Sequence, residues 1–332
     1  MSTRLEAILV ALALPFAAGC SLMRTVFGEE NGYLFAGYDA VAVAGEEVDV
    51  KVRLQSGGLL KDRPDVPVRF HLGQRLLGDM LTDDEGYAAF RFRPPAPGDY
   101  VMTAEALPQA GRPQPPGPAQ VLVACREPNA PLIIVDLDKT LVASGTREVL
   151  VGDPAPMPHS VEVMNRLAAC FTPVYLTHRV DYFGPKSKAW LREHGYPRGP
   201  VLLAEAREFL KGSREFKTET LERLRLRFKG RIIGVGDKVS DARAYCANGI
   251  DAFLLVRPHE GADSQRRRDL ASLRRRLPPG VQVVSDWREI EQAIMGRDRP
   301  QARIRNRPLN PDGKMEVLEK APGDNNATPP EE

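Results

Sequence analysis

The stretch APLIIVDLDKTLVAS, residues 130–144, decides the fold class of this 332-residue chain. Its block LIIV is a continuous apolar run, which is typical of a strand buried on both faces of a parallel sheet. Two acids, Asp136 and Asp138, follow this run one residue apart. Ligands of open α/β sheets bind at the carboxyl ends of the strands, so the acids are candidates for a site. Either acid alone is equally well explained as a turn residue.

After REPNAP, residues 126–131, apolar blocks alternate with helical segments. The apolar blocks are LIIV, TPVYLT, PVLL, RIIGVG, DAFLLV and QVV, and the helical segments between and after them include HSVEVMNRLAAC, PKSKAWLREHG, TETLERLRLRF, SDARAYCANG and WREIEQAIM. Strands that alternate with helices of this length predict right-handed βαβ units and a parallel sheet. We therefore predict an α/β domain with a Rossmann-like parallel sheet over residues 130–296.

A period-two pattern precedes this domain. Val48, Val50 and Val52 alternate with polar residues, and the clusters TDDEG and PPAPGD separate further short runs. Such runs predict a smaller all-β sandwich over residues 40–125, and the layout resembles the immunoglobulin-like repeats of bacterial surface proteins. Residues 21–39 then form a linker. Residues 297–332 contain few large apolar side chains, which predicts a disordered tail.

The first twenty residues have the pattern of an export signal. Arg4 precedes the apolar run AILVALALPFAA, which is shorter than a comfortable membrane span, and small residues lead to Cys20. The ending AAGC resembles the lipobox of bacterial lipoproteins, which implies that Cys20 is lipidated. We therefore expect an exported lipoprotein anchored in the membrane of a bacterial cell envelope. An ordinary secretory signal, which would leave a soluble periplasmic or secreted protein, and an uncleaved anchor remain the alternatives.

Charge and cysteine content narrow the possible functions. The chain has 46 basic and 44 acidic residues and a net charge of +2, which argues against a nucleic-acid-binding protein. Three cysteines follow Cys20, namely Cys125, Cys170 and Cys246, and they lack metal-ligand spacing. We predict no disulfide, and we expect Cys170 and Cys246 to be buried free thiols.

Polar residues recur at the ends of the predicted strands and helices. The set consists of Asp136, Asp138, Thr177, Lys217, Asp237 and Asp241. Thr177 ends the second strand of the α/β half, and Lys217 comes just before a helix. Each residue alone is explained as a helix cap or a solvated charge. Because the carboxyl ends of parallel strands meet at one edge of a sheet, we expect the set to form one site.

These motifs resemble those of a known superfamily. DLDKT, Thr177, Lys217 and GDKVSD look like the four motifs of the haloacid dehalogenase superfamily. The spacing around GPVLLAEAREFL, EFKTETLERL and GVGDKVSDARAYCANGI is similar to that of the lipin-type phosphatidate phosphatases and the actin-patch-associated phosphatases. The resemblance covers residues 130–257 and implies a Mg²⁺-dependent phosphatase. Lys139 stands where glycine is frequent in the family.

The resemblance also implies a role for each residue. Asp136 is the nucleophile, which forms an aspartyl-phosphate, and Asp138 is the general acid and base. Thr177 holds a phosphoryl oxygen, and Lys217 neutralises charge. Mg²⁺, which suits hard oxygen ligands, is the implied cofactor. Its implied ligands are Asp136, the main-chain carbonyl of Asp138, Asp237 and, directly or as a support, Asp241.

The spacing also bears on the substrate. The gaps between the motifs leave no room for a large cap domain, and an open site admits a substrate embedded in a surface. We therefore expect phosphatidate or a related membrane lipid phosphate as the substrate. A soluble phosphomonoester, such as a nucleotide or a sugar phosphate, and an inactive envelope lipoprotein are the alternatives. The arginine-rich segment 264–277 is interpreted as a solvated surface helix, with binding to anionic lipid as the alternative.

All the candidate catalytic groups follow REPNAP. We therefore expect residues 126–300 alone to retain turnover of a small phosphomonoester.

Overall fold

The computed structural model describes residues 32–56, 61–112, 114–143, 153–256 and 271–298. The signal segment 1–20 with Cys20, the tail beyond residue 298 and residues 264–270 of the arginine-rich segment lie outside these ranges. Residues 271–276 of that segment are helical, as the sequence predicts. Within the described ranges, every helix falls short of the length and apolar content of a membrane span.

The N-terminal domain is an immunoglobulin-like β-sandwich, which confirms the prediction of an all-β domain. Its described strands are β1 (Tyr33–Tyr38), β2 (Ala40–Val43), β3 (Val48–Ser56), β4 (Lys61–Asp62), β5 (Pro67–Leu72), β6 (Arg75–Leu81), β7 (Tyr87–Phe92), β8 (Gly98–Ala106) and β9 (Ala119–Arg126). One sheet has the order β1-β3-β4, with β7 also paired to β3, and the other has the order β2-β9-β8-β5-β6. Alternate residues such as Val50, Val52 and Leu54 form the core between the sheets.

The sandwich begins earlier than the sequence suggested. Strand β1 lies within residues 21–39, for which we expected a linker, and it pairs with β3 from Tyr33 to Tyr38. The segment YLFAGY is mostly apolar, and four of its residues pack in or beside the core, so a place in the sheet buries surface that a linker would expose.

The second domain is the predicted Rossmann-like α/β domain. Its strands are β10 (Leu132–Val135), β11 (Thr172–Val180), β12 (Val201–Ala204), β13 (Ile232–Gly236), β14 (Asp251–Leu255) and β15 (Gln282–Val284), and its helices are α1 (Ser160–Leu167), α2 (Gly184–Glu193), α3 (Ala206–Lys211), α4 (Ser213–Arg227), α5 (Val239–Ala247) and α6 (Trp287–Asp298). All six strands are parallel, in the order β12-β11-β10-β13-β14-β15. No cap domain interrupts the described residues between the motifs.

The strands of this sheet are buried on both faces. Ile133 and Val135 pack with α1 and α6, whereas Leu132 and Ile134 face the opposite side with α4 and α5. This alternation explains why LIIV is apolar throughout: each of its four side chains is fully buried.

The two domains share a hydrophobic core. Val41 and Val43 of β2 belong to the same buried cluster as Leu132 and Ile134 of β10. At the opposite end of the sheet from the predicted site, Arg227 of α4 donates a hydrogen bond to the Val41 carbonyl at 3.1 Å. The sandwich is therefore packed against the α/β domain, and its contact face contributes to that domain's core.

The cysteines differ in burial from what the sequence indicated. Cys125 is buried, Cys246 is half-buried and Cys170 is exposed, and all three are free thiols, as predicted. The prediction that Cys170 is buried was wrong, because this residue lies in the turn after α1 and no longer follows the apolar stripe of the helix.

Candidate active site

The loop after β10 places two acids at the carboxyl edge of the sheet. The Asp136 amide donates to the Val235 carbonyl of the neighbouring strand at 3.0 Å, which extends the pairing with β13. The chain then turns tightly, with the amides of Leu141 and Val142 both 2.9 Å from the Leu137 carbonyl. Lys139 has a φ of 61° in this turn. A left-handed residue at this position explains why glycine is frequent there in the phosphatases that the motif resembles.

Lys217 links the acids of two motifs. Its Nζ lies 2.8 Å from Asp136 Oδ1 and 2.9 Å from Asp241 Oδ1, and each of the three side chains is at most 3% exposed. The expectation that Lys217 precedes a helix was wrong, because α4 begins at Ser213 and Lys217 lies in its second turn. Helix α4 packs on the sheet through Phe216 and Leu221, and this packing directs Lys217 into the site.

The GDKVSD motif brings in the remaining two acids. Asp237 follows β13 directly, and Asp241 lies in the first turn of α5. Asp241 Oδ2 accepts a hydrogen bond from the Lys238 amide at 3.3 Å. A Cβ at Gly236 would lie 2.8 Å from Asp241 Oδ2, so a side chain at this position would push the carboxylate out of place.

The arrangement of the acids fits a divalent cation. Single carboxylate oxygens of Asp136, Asp237 and Asp241 lie within 4.8 Å of one another. Asp136 Oδ2 and Asp237 Oδ1 are buried without a hydrogen-bond partner among the described residues. Together with Lys217, the three carboxylates carry a net charge of −2. Hard oxygen donors with excess negative charge are the environment that Mg²⁺ prefers, so these residues fit the implied metal.

The burial and the close spacing of these charged groups also shift the pKa values of Asp136, Asp237 and Lys217. Burial raises the pKa of Asp136 to about 6, and the nearby Asp241 and Asp138 add to this effect while Lys217 opposes it. Burial also raises the pKa of Asp237. For Lys217, burial alone would lower the pKa, but the carboxylates of Asp136 and Asp241 outweigh it and the pKa is raised. The cluster thus holds a charged lysine and more negative charge than that lysine can balance.

The carboxylate of Asp138 is turned away from this cluster and toward Arg179. Arg179 donates from Nη2 to Asp138 Oδ1 at 2.7 Å and from Nε to Oδ2 at 3.1 Å. Its third nitrogen donates to Ser187 Oγ of α2 at 2.9 Å. Arg179 is 4% exposed, so its guanidinium is fixed on three sides within the protein. Such a two-bond contact defines the orientation of a carboxylate as well as its position.

Arg179 was not among the residues that the sequence singled out. It follows Thr177 by two positions in strand β11, where the pairing with β12 shifts register between Thr177 and Val180. Such an irregularity re-aims side chains, so regular alternation along LTHR does not predict where Arg179 points. Its partner Ser187 lies in a helix without a recognisable motif, so only the tertiary structure identifies the contact.

Thr177 and His178 are the next residues of β11 at this edge of the sheet. Thr177 is 1% exposed and lies two residues beyond Tyr175, which is paired with Val135 at the end of β10. The His178 ring stacks on Phe209 of α3 with a centroid distance of 4.7 Å. Burial and the nearby Lys217 lower the pKa of His178, which favours the neutral imidazole.

The site opens beside Asp138 and Asp237, which are only partly buried, whereas Asp136 and Lys217 are each 2% exposed. Lys139 and Lys238 are exposed on this side. Their positive charges act on Asp237 and oppose the effect of burial on its pKa. An anionic group thus approaches through a rim that carries two cations.

All six residues that the sequence predicted therefore lie at one edge of the α/β sheet. The three carboxylates predicted to bind the metal, those of Asp136, Asp237 and Asp241, converge. Asp138 was predicted to bind it through its main-chain carbonyl, and its carboxylate binds Arg179. A comparison with protein families finds a match over residues 133–253 to the LNS2 domain of the PITM 1-3 proteins. LNS2 domains are lipin-like domains of the haloacid dehalogenase-like phosphatase type. The match contains the six residues and Arg179.

Three solved structures are similar to part of this chain. The fibronectin(III)-like modules of Clostridium thermocellum CbhA are 13% identical, with a TM-score of 0.19, over 27% of this chain and 90% of theirs. A putative membrane anchored protein from Corynebacterium diphtheriae is 14% identical, with a TM-score of 0.24, over 30% of this chain and 22% of its own. The immunoglobulin domain complex of titin M10 and obscurin-like 1 is 19% identical, with a TM-score of 0.21, over 31% of this chain and 100% of that one.

All three TM-scores are far below 0.5, and the sandwich is defined by its own two packed sheets. A comparison with curated proteins finds no match.

Proposed function

We propose that this protein is a Mg²⁺-dependent phosphatase that acts on phosphatidate or a related lipid phosphate through an aspartyl-phosphate. The observation that carries the proposal is the position of Lys217 between Asp136 and Asp241, beside an Asp136 oxygen that has no hydrogen-bond partner in the part of the chain that the structure describes. One oxygen of the nucleophile is oriented by an ammonium group, and among the described residues the other has no partner that would have to be displaced. The similarity to LNS2 and the open site support a lipid substrate.

The first chemical step uses two aspartates. The Asp136 carboxylate attacks phosphorus while the bond from phosphorus to the ester oxygen breaks, and Asp138 gives its proton to that oxygen. Lys217 offsets the charge of the phosphoryl group, and Thr177 donates to one of its oxygens. In the second step water attacks the aspartyl-phosphate, and Asp138 takes the proton of this water. Phosphate leaves and the Asp136 carboxylate is restored.

Mg²⁺ held by Asp136, Asp237 and Asp241 would supply the positive charge that an attack of one anion on another requires. Arg179 sets the direction of Asp138 in both steps. Because the guanidinium engages both carboxylate oxygens, one of its two contacts has to open when Asp138 carries the proton.

The proposal is tested by a phosphate-release screen in the presence of Mg²⁺. Phosphatidate in detergent micelles is compared with a nucleotide, a sugar phosphate and p-nitrophenyl phosphate, each also with a chelator. We expect phosphatidate to be hydrolysed fastest and the chelator to abolish turnover. Asp237→Asn should raise the Mg²⁺ concentration for half-maximal activity at least about tenfold. The control is Asp251→Asn, which changes an acid at the start of β14, away from the site.

The outcomes of the screen separate the alternatives. Turnover of the soluble esters without phosphatidate would replace the lipid by a soluble phosphomonoester as the substrate. If no compound releases phosphate, the protein is an inactive envelope lipoprotein and not a phosphatase.

We further propose that a lipid on Cys20 holds the enzyme at the bacterial membrane, on the periplasmic side. The support for this proposal is the AAGC ending of the signal segment. After expression in a bacterium, the parent protein should enter the detergent phase and incorporate palmitate, whereas Cys20→Ala should do neither. Cys170→Ala is the matched control, because it removes an exposed cysteine of the folded domain. Equal partition and labelling of the Cys20→Ala variant and the parent would refute the anchor.

A further inference from the structure

The β-sandwich contacts the segment that directly follows Arg179. Asp181 begins a short 3₁₀ helix, Asp181–Phe183, two residues after Arg179, and it is 1% exposed. Its Oδ2 accepts hydrogen bonds from the Tyr38 hydroxyl and, at 2.8 Å, from Arg53 Nη1. Both donors belong to the sandwich, on β1 and β3. The end of the catalytic strand β11 is therefore fixed by side chains of the other domain.

A second contact between the domains involves helix α2, which also accepts a hydrogen bond from the Arg179 guanidinium. Arg179 donates to Ser187, and the next residue, Lys188, donates to Asp39 Oδ1 at 2.6 Å and to the Gly37 carbonyl at 2.7 Å. The other oxygen of Asp39 accepts from the Val201 amide at 3.0 Å. Helix α2 and the end of β11, the two segments that hold Arg179, are thus attached to β1, to Asp39 directly after β1, and to β3.

The Arg53 side chain is held tightly at this interface. It is 7% exposed, donates to Asp62 Oδ1 at 2.9 Å and to the Glu85 carbonyl at 3.1 Å, and lies 4.8 Å from the centre of the Tyr87 ring. A buried ion pair loses hydration, and apolar side chains of the same size often stabilise a fold at least as well. Stability alone therefore does not require an ion pair of Arg53 and Asp181, and the directional hydrogen bond between them favours one defined geometry.

We propose that the β-sandwich positions the general acid of the site, with Tyr38, Arg53 and Asp39 fixing the two segments that orient Arg179 and thereby Asp138. This inference rests on the proposed phosphatase function. Tyr38, Arg53 and Asp39 do not touch the acids of the site, so they are positioning residues. The sandwich thus acts as a second domain of one catalytic unit, in addition to any role as a spacer from the membrane.

Loss of the contacts that position Asp138 should slow the hydrolysis of different esters unequally. Displacement of a catalytic group by about 1 Å costs on the order of a hundredfold in rate. A displaced Asp138 impairs the step that protonates the leaving oxygen, so esters of poor leaving groups should suffer most. An alkyl alcohol needs this proton, whereas p-nitrophenol leaves without it. Loss of a positioning residue should therefore lower the ratio of kcat/KM for an alkyl phosphate to kcat/KM for p-nitrophenyl phosphate, because kcat/KM reports the formation of the aspartyl-phosphate and not its breakdown, which is the same for both esters.

The experiment measures this ratio in the full chain with n-butyl phosphate and p-nitrophenyl phosphate. We expect Tyr38→Phe and Arg53→Gln to lower it at least about tenfold, toward the value of Asp138→Asn, with kcat/KM for p-nitrophenyl phosphate within about twofold of the parent. Arg53→Lys, which keeps the charge, should recover part of the ratio. The matched control is Arg227→Gln, which removes a contact with Val41 and Glu46 at the far end of the same interface. It should leave the ratio unchanged.

The results for the variants and for the parent protein test the positioning role of the sandwich separately from the phosphatase activity. A folded Tyr38→Phe variant with the parent's ratio would overturn the inference, and so would an equal fall of the ratio in Arg227→Gln, because the effect would then be one of general stability. If Arg53→Gln does not fold, Tyr38→Phe decides alone, since it removes one hydroxyl and no charge. A parent protein inactive toward both esters and toward phosphatidate would overturn the proposed function and the inference with it. An active parent with unaffected variants would overturn the inference only.

Discussion

Replacing Asp136 with asparagine is expected to lower phosphatase turnover by at least about 10⁴-fold with every substrate. The amide cannot form the bond to phosphorus, and it removes one of three clustered carboxylates that fit a metal ion. The fold should be retained, because the side chains have the same shape and Lys217 keeps its contact with Asp241. Steady-state phosphate release and a thermal unfolding curve of the same sample check both parts of this result.

The matched control is Asp138→Asn, which changes the other aspartate of the motif and should fail in a different way. With p-nitrophenyl phosphate it should release a burst of nitrophenol and then turn over slowly, because water lacks a base in the second step. Phosphate should accumulate on Asp136. With an alkyl phosphate, turnover should fall on the order of a hundred- to ten-thousand-fold. Undiminished steady turnover without a burst would show that Asp138 does not carry the proton, and residual turnover near the parent's rate in Asp136→Asn would exclude Asp136 as the nucleophile.

Removing the β-sandwich is expected to abolish turnover in the fragment 126–298. The sequence alone led to the opposite expectation, because all the catalytic residues follow REPNAP. However, Val41 and Val43 complete the core around Leu132 and Ile134, and a buried valine contributes about 1.5 kcal/mol or more. The two valines thus supply about 3 kcal/mol of a domain stability that is typically about 5 to 15 kcal/mol. The fragment also loses the contacts that hold Asp181 and Lys188.

Thermal unfolding and p-nitrophenyl phosphate turnover of the fragment measure this effect. The shortened chain 32–298, which keeps the sandwich and lacks the signal segment and the tail, is the control and should match the full chain in both measurements. A fragment that unfolds cooperatively near the temperature of the control and turns over at its rate would show that the interface is dispensable for folding and for catalysis.

The sequence carries strong information about the α/β half, because local pattern and site chemistry coincide there. LIIV is apolar at every position since both faces of its strand are covered, and this property alone predicts a parallel sheet. In a parallel sheet the residues that follow each strand meet at one edge. Asp136, Thr177 and Asp237 could therefore be placed together without knowledge of any contact, and the structure brings them to the same edge.

Residues that reach the site from the sides of helices were harder to predict. Lys217 was placed before its helix because helix α4 has no sharp apolar stripe, and the two turns around Lys217 are polar in sequence. Only the packing of Phe216 on the sheet shows that this part of the helix is buried. Arg179 has no motif of its own, and its function depends on Ser187 and Asp138, which lie far from each other in the chain.

The sequence by itself determined which face of β3 packs in the sandwich, because Val50, Val52 and Leu54 alternate and apolar side chains leave water. Whether the other face of β3 is buried was decided only by the tertiary structure. Arg53 and Gln55 on that face are as polar as solvent-exposed residues would be, yet both are buried. A period-two pattern records the polarity of a face, whereas the burial of polar groups depends on whether partners such as Asp181 and Asp62 arrive from elsewhere to replace water.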